Sequence, residues 1–140
     1  MRSPDQPVRI GMLGCGVVGS EVARLILADS VELSTRAGAK IELVKIAVRE
    51  IKPRPGIPQE LFTLDAELIV NDPSIDLIIE VIGGIEPARS LILKAISNRK
   101  SIVTANKALL VSHGADLFTA AYAQGEDIYY EAAVAGAIPI

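Results

Sequence analysis

Short apolar runs alternate with stretches of helical spacing along this 140-residue chain. Val8 to Gly14 (VRIGMLG) is an apolar run ending in glycine. Behind it, Val18, Val22, Leu25 and Ile26 fall four, three and one residues apart, which is the spacing of one helix face. Strand, tight turn and helix are predicted here, the helix running unevenly through SVELSTRAG to Gly38, a natural C-terminal glycine. Ile41 to Val48 predicts a second strand. Three prolines and a glycine make Arg49 to Gln59 a loop. The weaker segment that follows predicts one short helix on the Asp65 side, closed at Asp72-Pro73.

The pattern then resumes. DLIIEVIGG (Asp76 to Gly84) reads as a strand running into paired glycines, and EPARSLILKAISNRK as a helix with proline near its first turn. SIVTA, from Ser101, is the next strand, NKALLVSHGADLFTAAYAQG the next helix, and DIYYEAAVAG the last strand with its exit. Tyr129 and Tyr130 alternate sides of that strand, so at least one is expected in the core. Alternating elements of this length imply parallel strands with helical crossovers. The fold class is α/β, doubly wound, with a mostly parallel sheet, as one domain over residues 1–140.

Composition narrows the function more than the fold. Half of the residues are hydrophobic and 22% are charged, as in a globular chain. A net charge of -3 with scattered basic residues argues against nucleic acid as a partner. The single cysteine, Cys15, forms no internal disulfide, and there is no signal-peptide core or membrane-length apolar run, so a cytoplasmic location away from membranes is expected. The chain closes on AGAIPI, apolar and without a polar tail, which leads to the expectation of an N-terminal domain with a catalytic domain after residue 140.

Chemistry enters at GCGVVG. Gly14, Gly16 and Gly19 have G-x-G-x-x-G spacing directly after a strand and before a helix. Gly14 allows the tight turn, Gly16 lets a pyrophosphate approach the backbone, and Gly19 lets the helix pack close to the strand. The first-turn amides, Val17 and Val18 among them, offer donors and a favourable dipole to the phosphates. Alone the pattern is weak; in this context it predicts a Rossmann-type dinucleotide-binding fold. Cys15 within it reads as a small filler, not a nucleophile.

At the end of the second strand, a domain that prefers NAD usually offers a carboxylate to the ribose. Arg49 occupies that position, with Lys52 and Arg54 in the loop beyond. A guanidinium binds the 2′-phosphate of NADP through paired hydrogen bonds, so NADP is favoured over NAD, although Glu50 could still turn toward the ribose. Gly83-Gly84, Thr104 to Lys107, and Glu131 close later strands and are expected to line one crevice at the carboxyl end of the sheet. Asn106 reads as a helix N-cap. That leaves Lys107 in the first turn, where the helix dipole disfavours a cation. Its position suits a group that handles a proton or an alkoxide, with an ordinary surface lysine as the alternative.

GCGVVGSEV, EVIGGIEPARSLILKA, VTANKALL and EAAVAGAIPI, in this order, resemble the N-terminal half of homoserine dehydrogenase over nearly the whole chain. The resemblance implies an oxidoreductase of threonine and methionine biosynthesis that interconverts L-homoserine and L-aspartate 4-semialdehyde with NADP or NAD. It makes Lys107 catalytic, and it places Gly83, Thr104, Asn106 and Glu131 at the nicotinamide end, Glu131 on the substrate side. It further implies a sodium ion held by backbone carbonyls of Glu131, Val134, Gly136 and Ile138, where a hydroxyl contact from position 133 is excluded because alanine stands there. A homo-oligomer assembled through the following domain is implied as well. His113 has no assigned role. Two alternatives are a free-standing dinucleotide sensor and the nucleotide-binding domain of another semialdehyde or dihydrodipicolinate-type reductase.

Overall fold

The computed structural model describes residues 7–130 apart from 30, 33, 34, 36, 37 and 39. Its elements run β1 (Val8–Leu13), α1 (Val17–Ala28), β2 (Ile41–Ala47), β3 (Phe62–Thr63), α2 (Ala66–Val70), β4 (Leu77–Glu80), α3 (Ala88–Ser97), β5 (Ser101–Thr104), α4 (Lys107–Gln124) and β6 (Ile128–Tyr130). The six strands form one sheet in the order β3-β2-β1-β4-β5-β6, with every pair parallel. Strand order reverses between β1 and β4. A parallel sheet opens a crevice at the carboxyl ends of the strands at such a point.

Strand residues alternate between two layers of core, as a period of two requires. Ile10, Met12, Leu43, Ile46 and Ile79 meet Val22, Ala23 and Ile26 of α1 on one face. On the other face Ile78 and Ile102 meet Ile69 of α2, Ile92 and Ile96 of α3, and Leu109 and Leu117 of α4. Each such aliphatic side chain, fully buried, contributes about 1.5–3 kcal/mol. One helix thus covers the β1–β2 half of its face while three share the opposite face.

That asymmetry corrects the expectation for the last strand. Tyr129 and Tyr130 are both exposed, at 54% and 42%. Tyr129 aligns with Val103 on the face of α1, and α1 lies over β1 and β2, so no helix among the described residues covers it. Tyr130 lies on β6, the edge strand of the sheet.

The short helix expected beside Asp65 is α2, whose first turn is capped by the Asp65 side chain accepting from the Glu67 amide. β3 was not expected; it is two residues long and becomes strand only by pairing with Ile46 and Ala47. α1 stops at Ala28, and its expected continuation falls mostly on residues outside those described, although Gly38 has the left-handed φ of +72° that a terminating glycine adopts. At the amino end of β5, Lys100 is buried. Its ammonium donates to the carbonyls of Asp72 and Ile75 and so closes the turn between α2 and β4.

Candidate functional site

β1 delivers the chain to Gly14, which turns with φ +101° and donates its amide to the Ala47 carbonyl at 2.9 Å. A Cβ there would lie 3.0 Å from the Val81 carbonyl oxygen. At Gly19 a Cβ would lie 3.0 Å from both the Gly14 carbonyl oxygen and Val81 Cγ2, so α1 can start this close to β4 only because both positions lack one. Gly16 is different: a Cβ there would meet nothing within 4 Å, so the space over the loop is open. No side chain caps this end of α1. The amides of its first turn, including Val17 and Val18, are therefore available to an anion, as phosphate binding at a helix N-terminus requires. Val17 is exposed and Val18 packs its side chain toward the α1 core. Cys15 is buried with its thiol 3.4 Å from Ser20 Oγ, in keeping with a packing role.

The turn opens onto a cleft of about 1010 Å³ whose walls include Gly14, Gly16, Val17, Arg49, Lys52 and Ile82. A volume of this size accommodates an extended cofactor. Arg49 and Lys52 are exposed on its rim, and neither side chain has a partner among the described residues. Arg54 behaves differently from its sequence neighbours. It turns inward, lies 4.7 Å over the Phe62 ring and donates to the carbonyls of Glu50 and Lys52, both at 3.3 Å. From the other side Arg24 of α1 donates to the Pro55 carbonyl at 3.1 Å. These two arginines hold the proline-rich loop in shape, which leaves Arg49 and Lys52 as its cations without a partner among the described residues.

Further along the carboxyl edge lies a second group. Val81 and Ile82 line the cleft and lead into Gly83 and Gly84, with φ of +84° and +72°. Thr104 ends β5, Asn106 caps α4 by accepting from the Leu109 amide at 3.1 Å, and Lys107 opens the helix. Lys107 is exposed and its ammonium has no partner among the described residues. Thr104 and Asn106 are buried, at 1% and 7% exposure, and their polar atoms turn toward Glu80.

Sequence reasoning missed Glu80, which ends β4 with no exposure at all. One of its carboxyl oxygens accepts from the amides of Ile82 at 2.9 Å and Gly83 at 3.2 Å, and the other accepts from the Thr104 hydroxyl at 2.5 Å. The available signal was a single acidic residue inside the apolar run LIIEVI, on a strand that must be buried on both faces.

Gly14, Gly16, Val17, Arg49 and Lys52 thus share one cleft, while Gly83, Thr104, Asn106 and Lys107 form the adjoining group. Glu131, Val134, Gly136 and Ile138 lie outside the described residues. Among the described residues no group of three His, Cys, Asp or Glu could hold a metal ion, and no helix is long and apolar enough to cross a membrane. His113 is half-buried on α4.

A six-stranded parallel sheet in this order, with a glycine turn at the point of reversal and an uncapped helix start above it, defines a dinucleotide-binding α/β domain. The residues present fit such a cofactor: an open backbone approach at Gly16, free first-turn amides and a cleft of adequate size. The chain belongs to the family described as the NAD-binding domain of homoserine dehydrogenase, whose model matches residues 14–131. It is 48% identical to the homoserine dehydrogenase of Corynebacterium glutamicum over 140 residues, which is 99% of this chain and 32% of that protein. Among solved structures, a homoserine dehydrogenase from Thiobacillus denitrificans superimposes with a TM-score of 0.85 at 40% identity, covering 91% of this chain and 30% of the other. A hyperthermophilic archaeal homoserine dehydrogenase in complex with NADPH superimposes with a TM-score of 0.72 over 90% of this chain and 44% of that one; at 19% identity it shows the shared fold. The chain spans about a third of the length of the relatives it matches.

Proposed function

We propose that this chain is the nucleotide-binding part of an enzyme that interconverts L-homoserine and L-aspartate 4-semialdehyde, with NADP(H) used at least as well as NAD(H). The 48% identity to a homoserine dehydrogenase supports the substrate pair, and the placement of Lys107 supports the role of this chain in the chemistry. Lys107 starts α4 at the carboxyl edge of the sheet, in the first turn, with an ammonium that nothing among the described residues engages.

When bound, the dinucleotide supplies hydride transfer. The first-turn amides of α1 hold its pyrophosphate, and Arg49 with Lys52 meets a 2′-phosphate at the rim. The Gly83-Gly84 turn lets the chain pass close to the nicotinamide end. Lys107 donates a hydrogen bond to the reacting oxygen of the substrate and helps to move the hydroxyl proton, which leaves as the alcohol carbon is oxidised. The substrate side at Glu131 and a monovalent-cation site on the carbonyls of Glu131, Val134, Gly136 and Ile138 are supported by the motif EAAVAGAIPI and its resemblance alone. A homo-oligomeric cytoplasmic enzyme, with the amino-acid substrate held by a domain beyond this chain, completes the proposal.

The test is Lys107→Ala in the full-length enzyme. Turnover is expected to fall by about 100-fold, the usual range for a positioned acid–base group, with thermal stability and dinucleotide affinity preserved. Unchanged turnover would return Lys107 to an ordinary surface lysine.

A further inference from the structure

We propose that Glu80 is a positioning residue for Lys107, clamping the turn that launches the lysine onto the glycine turn that faces the dinucleotide. The proposal rests on the reading of Lys107 given above. Four donors converge on one buried carboxyl group: the amides of Ile82 and Gly83, the Thr104 hydroxyl, and Asn106 Nδ2 at 3.5 Å. The bonds continue beyond it. Asn106 Nδ2 also donates to the Gly84 carbonyl at 2.7 Å, the Asn106 amide donates to Thr104 Oγ1 at 3.0 Å, and Asn106 Oδ1 accepts from the Leu109 amide. Gly83 is therefore tied to Glu80 directly, and Gly84 and the first turn of α4 are tied to it through Asn106. Lys107 is the residue directly after Asn106, so its Cα position follows from that cap.

The chemistry at this point requires a carboxyl group. The Ile82 and Gly83 amides and Asn106 Nδ2 can only donate, and the Thr104 hydroxyl, whose oxygen already accepts from the Asn106 amide, donates its proton to Glu80 as well. A glutamine in its place has one oxygen and one amide nitrogen. With the oxygen on the Ile82 and Gly83 amides, the nitrogen faces the Thr104 hydroxyl, which is then left without an acceptor. Glu80→Gln thus keeps volume and the glycine turn, but its nitrogen can only donate to Thr104 Oγ1, so the charge-assisted link to β5 and α4 is replaced by a reversed, uncharged and weaker one. Fully exposed turns of this kind tolerate loose geometry; a reacting group does not, since misplacement by about 1 Å can lower a rate about 100-fold.

The experiment uses the full-length enzyme with Glu80→Gln, Lys107→Ala and the double variant. For Glu80→Gln, kcat is expected to fall about 10- to 100-fold while NADPH and NADH dissociation constants stay near those of the parent. Added to Lys107→Ala, the same change is expected to cause no further loss, because a residue that acts through Lys107 has nothing left to position. Hydrogen exchange without cofactor supplies a second readout: the Asn106 and Leu109 amides should exchange about tenfold faster in Glu80→Gln, with the Ile82 and Gly83 amides little changed.

Losses that add in the double variant, unaltered exchange at Asn106 and Leu109, or weakened dinucleotide binding with kcat retained would each overturn the proposal. If Lys107→Ala keeps full turnover, the catalytic reading of Lys107 fails first and takes this one with it, an outcome recognisable from the single variant. Should Glu80→Gln not accumulate as folded protein, Thr104→Val removes the Glu80–Thr104 bond outright from the β5 side and carries the same expectations for kcat and for Leu109 exchange.

Discussion

Arg49 stands two positions beyond the last residue of β2, on the rim of the cleft, with a guanidinium that nothing among the described residues occupies. Arg54, five positions later, is spent on the Phe62 ring and on two carbonyls of its own loop. Of the cations at the end of β2, those able to meet a 2′-phosphate are therefore Arg49 and Lys52. Losing one charge-assisted phosphate contact costs about 1.5–3 kcal/mol, or about 10- to 150-fold in Kd. Arg49→Asp should accordingly weaken NADPH by that factor and add a ribose acceptor for NADH, reversing the preference. Calorimetric titration of parent and variant with both cofactors checks this, and a parent that clearly prefers NADH would contradict it. The sequence singled out Arg49 at the strand end and set Lys52 and Arg54 together in the loop beyond, because nothing local shows that Arg54 turns inward. Its partner Phe62 belongs to a strand that exists only by pairing.

Between α2 and β4 the turn is closed by Lys100, a buried lysine whose ammonium meets main-chain carbonyls. Burial, opposed by the charges of Asp72 and Asp76, holds its pKa below the ordinary 10.5. Between that lowered value and 10.5 the unfolded chain binds more protons than the folded one, so this group makes stability rise with pH across the window. Its contribution is full above 10.5 and is lost as pH falls through the folded value. Urea unfolding from about pH 7 to about pH 11 should show the parent gaining stability relative to Lys100→Met as pH rises. A pH-independent difference would mean that burial does not dominate at Lys100. Such turns also show what could be read along the chain. Asp65 and Asn106 were legible as helix starts because a cap is satisfied within three residues of itself. β3, the Tyr129–Tyr130 pair and Glu80 were not. Their states depend on a neighbouring strand, on which half of the sheet a helix covers, and on partners 24 and 26 positions away.

Among the described residues, six strands and the helices packed on them complete the sheet on both sides of its point of reversal, so the phosphate-binding half of the site is formed within this chain. Its relatives are about three times as long, and the one residue that the resemblance places on the substrate side, Glu131, lies outside the described residues. Binding and chemistry should therefore separate. The 140-residue chain on its own is expected to bind NADPH or NADH through the glycine turn and the rim cations, yet to produce neither from homoserine. Holding two reactants in line is worth about 7–11 kcal/mol of a barrier in favourable cases, and Lys107 has no anchored substrate to act on here. A fluorescence titration with NADPH followed by an absorbance assay with homoserine and NADP, then NAD, gives both answers on one preparation. Binding without turnover places the amino-acid site beyond this chain. Appreciable NADPH or NADH formation would place it among residues 1–140 and contradict the proposal that a domain beyond this chain holds the amino acid.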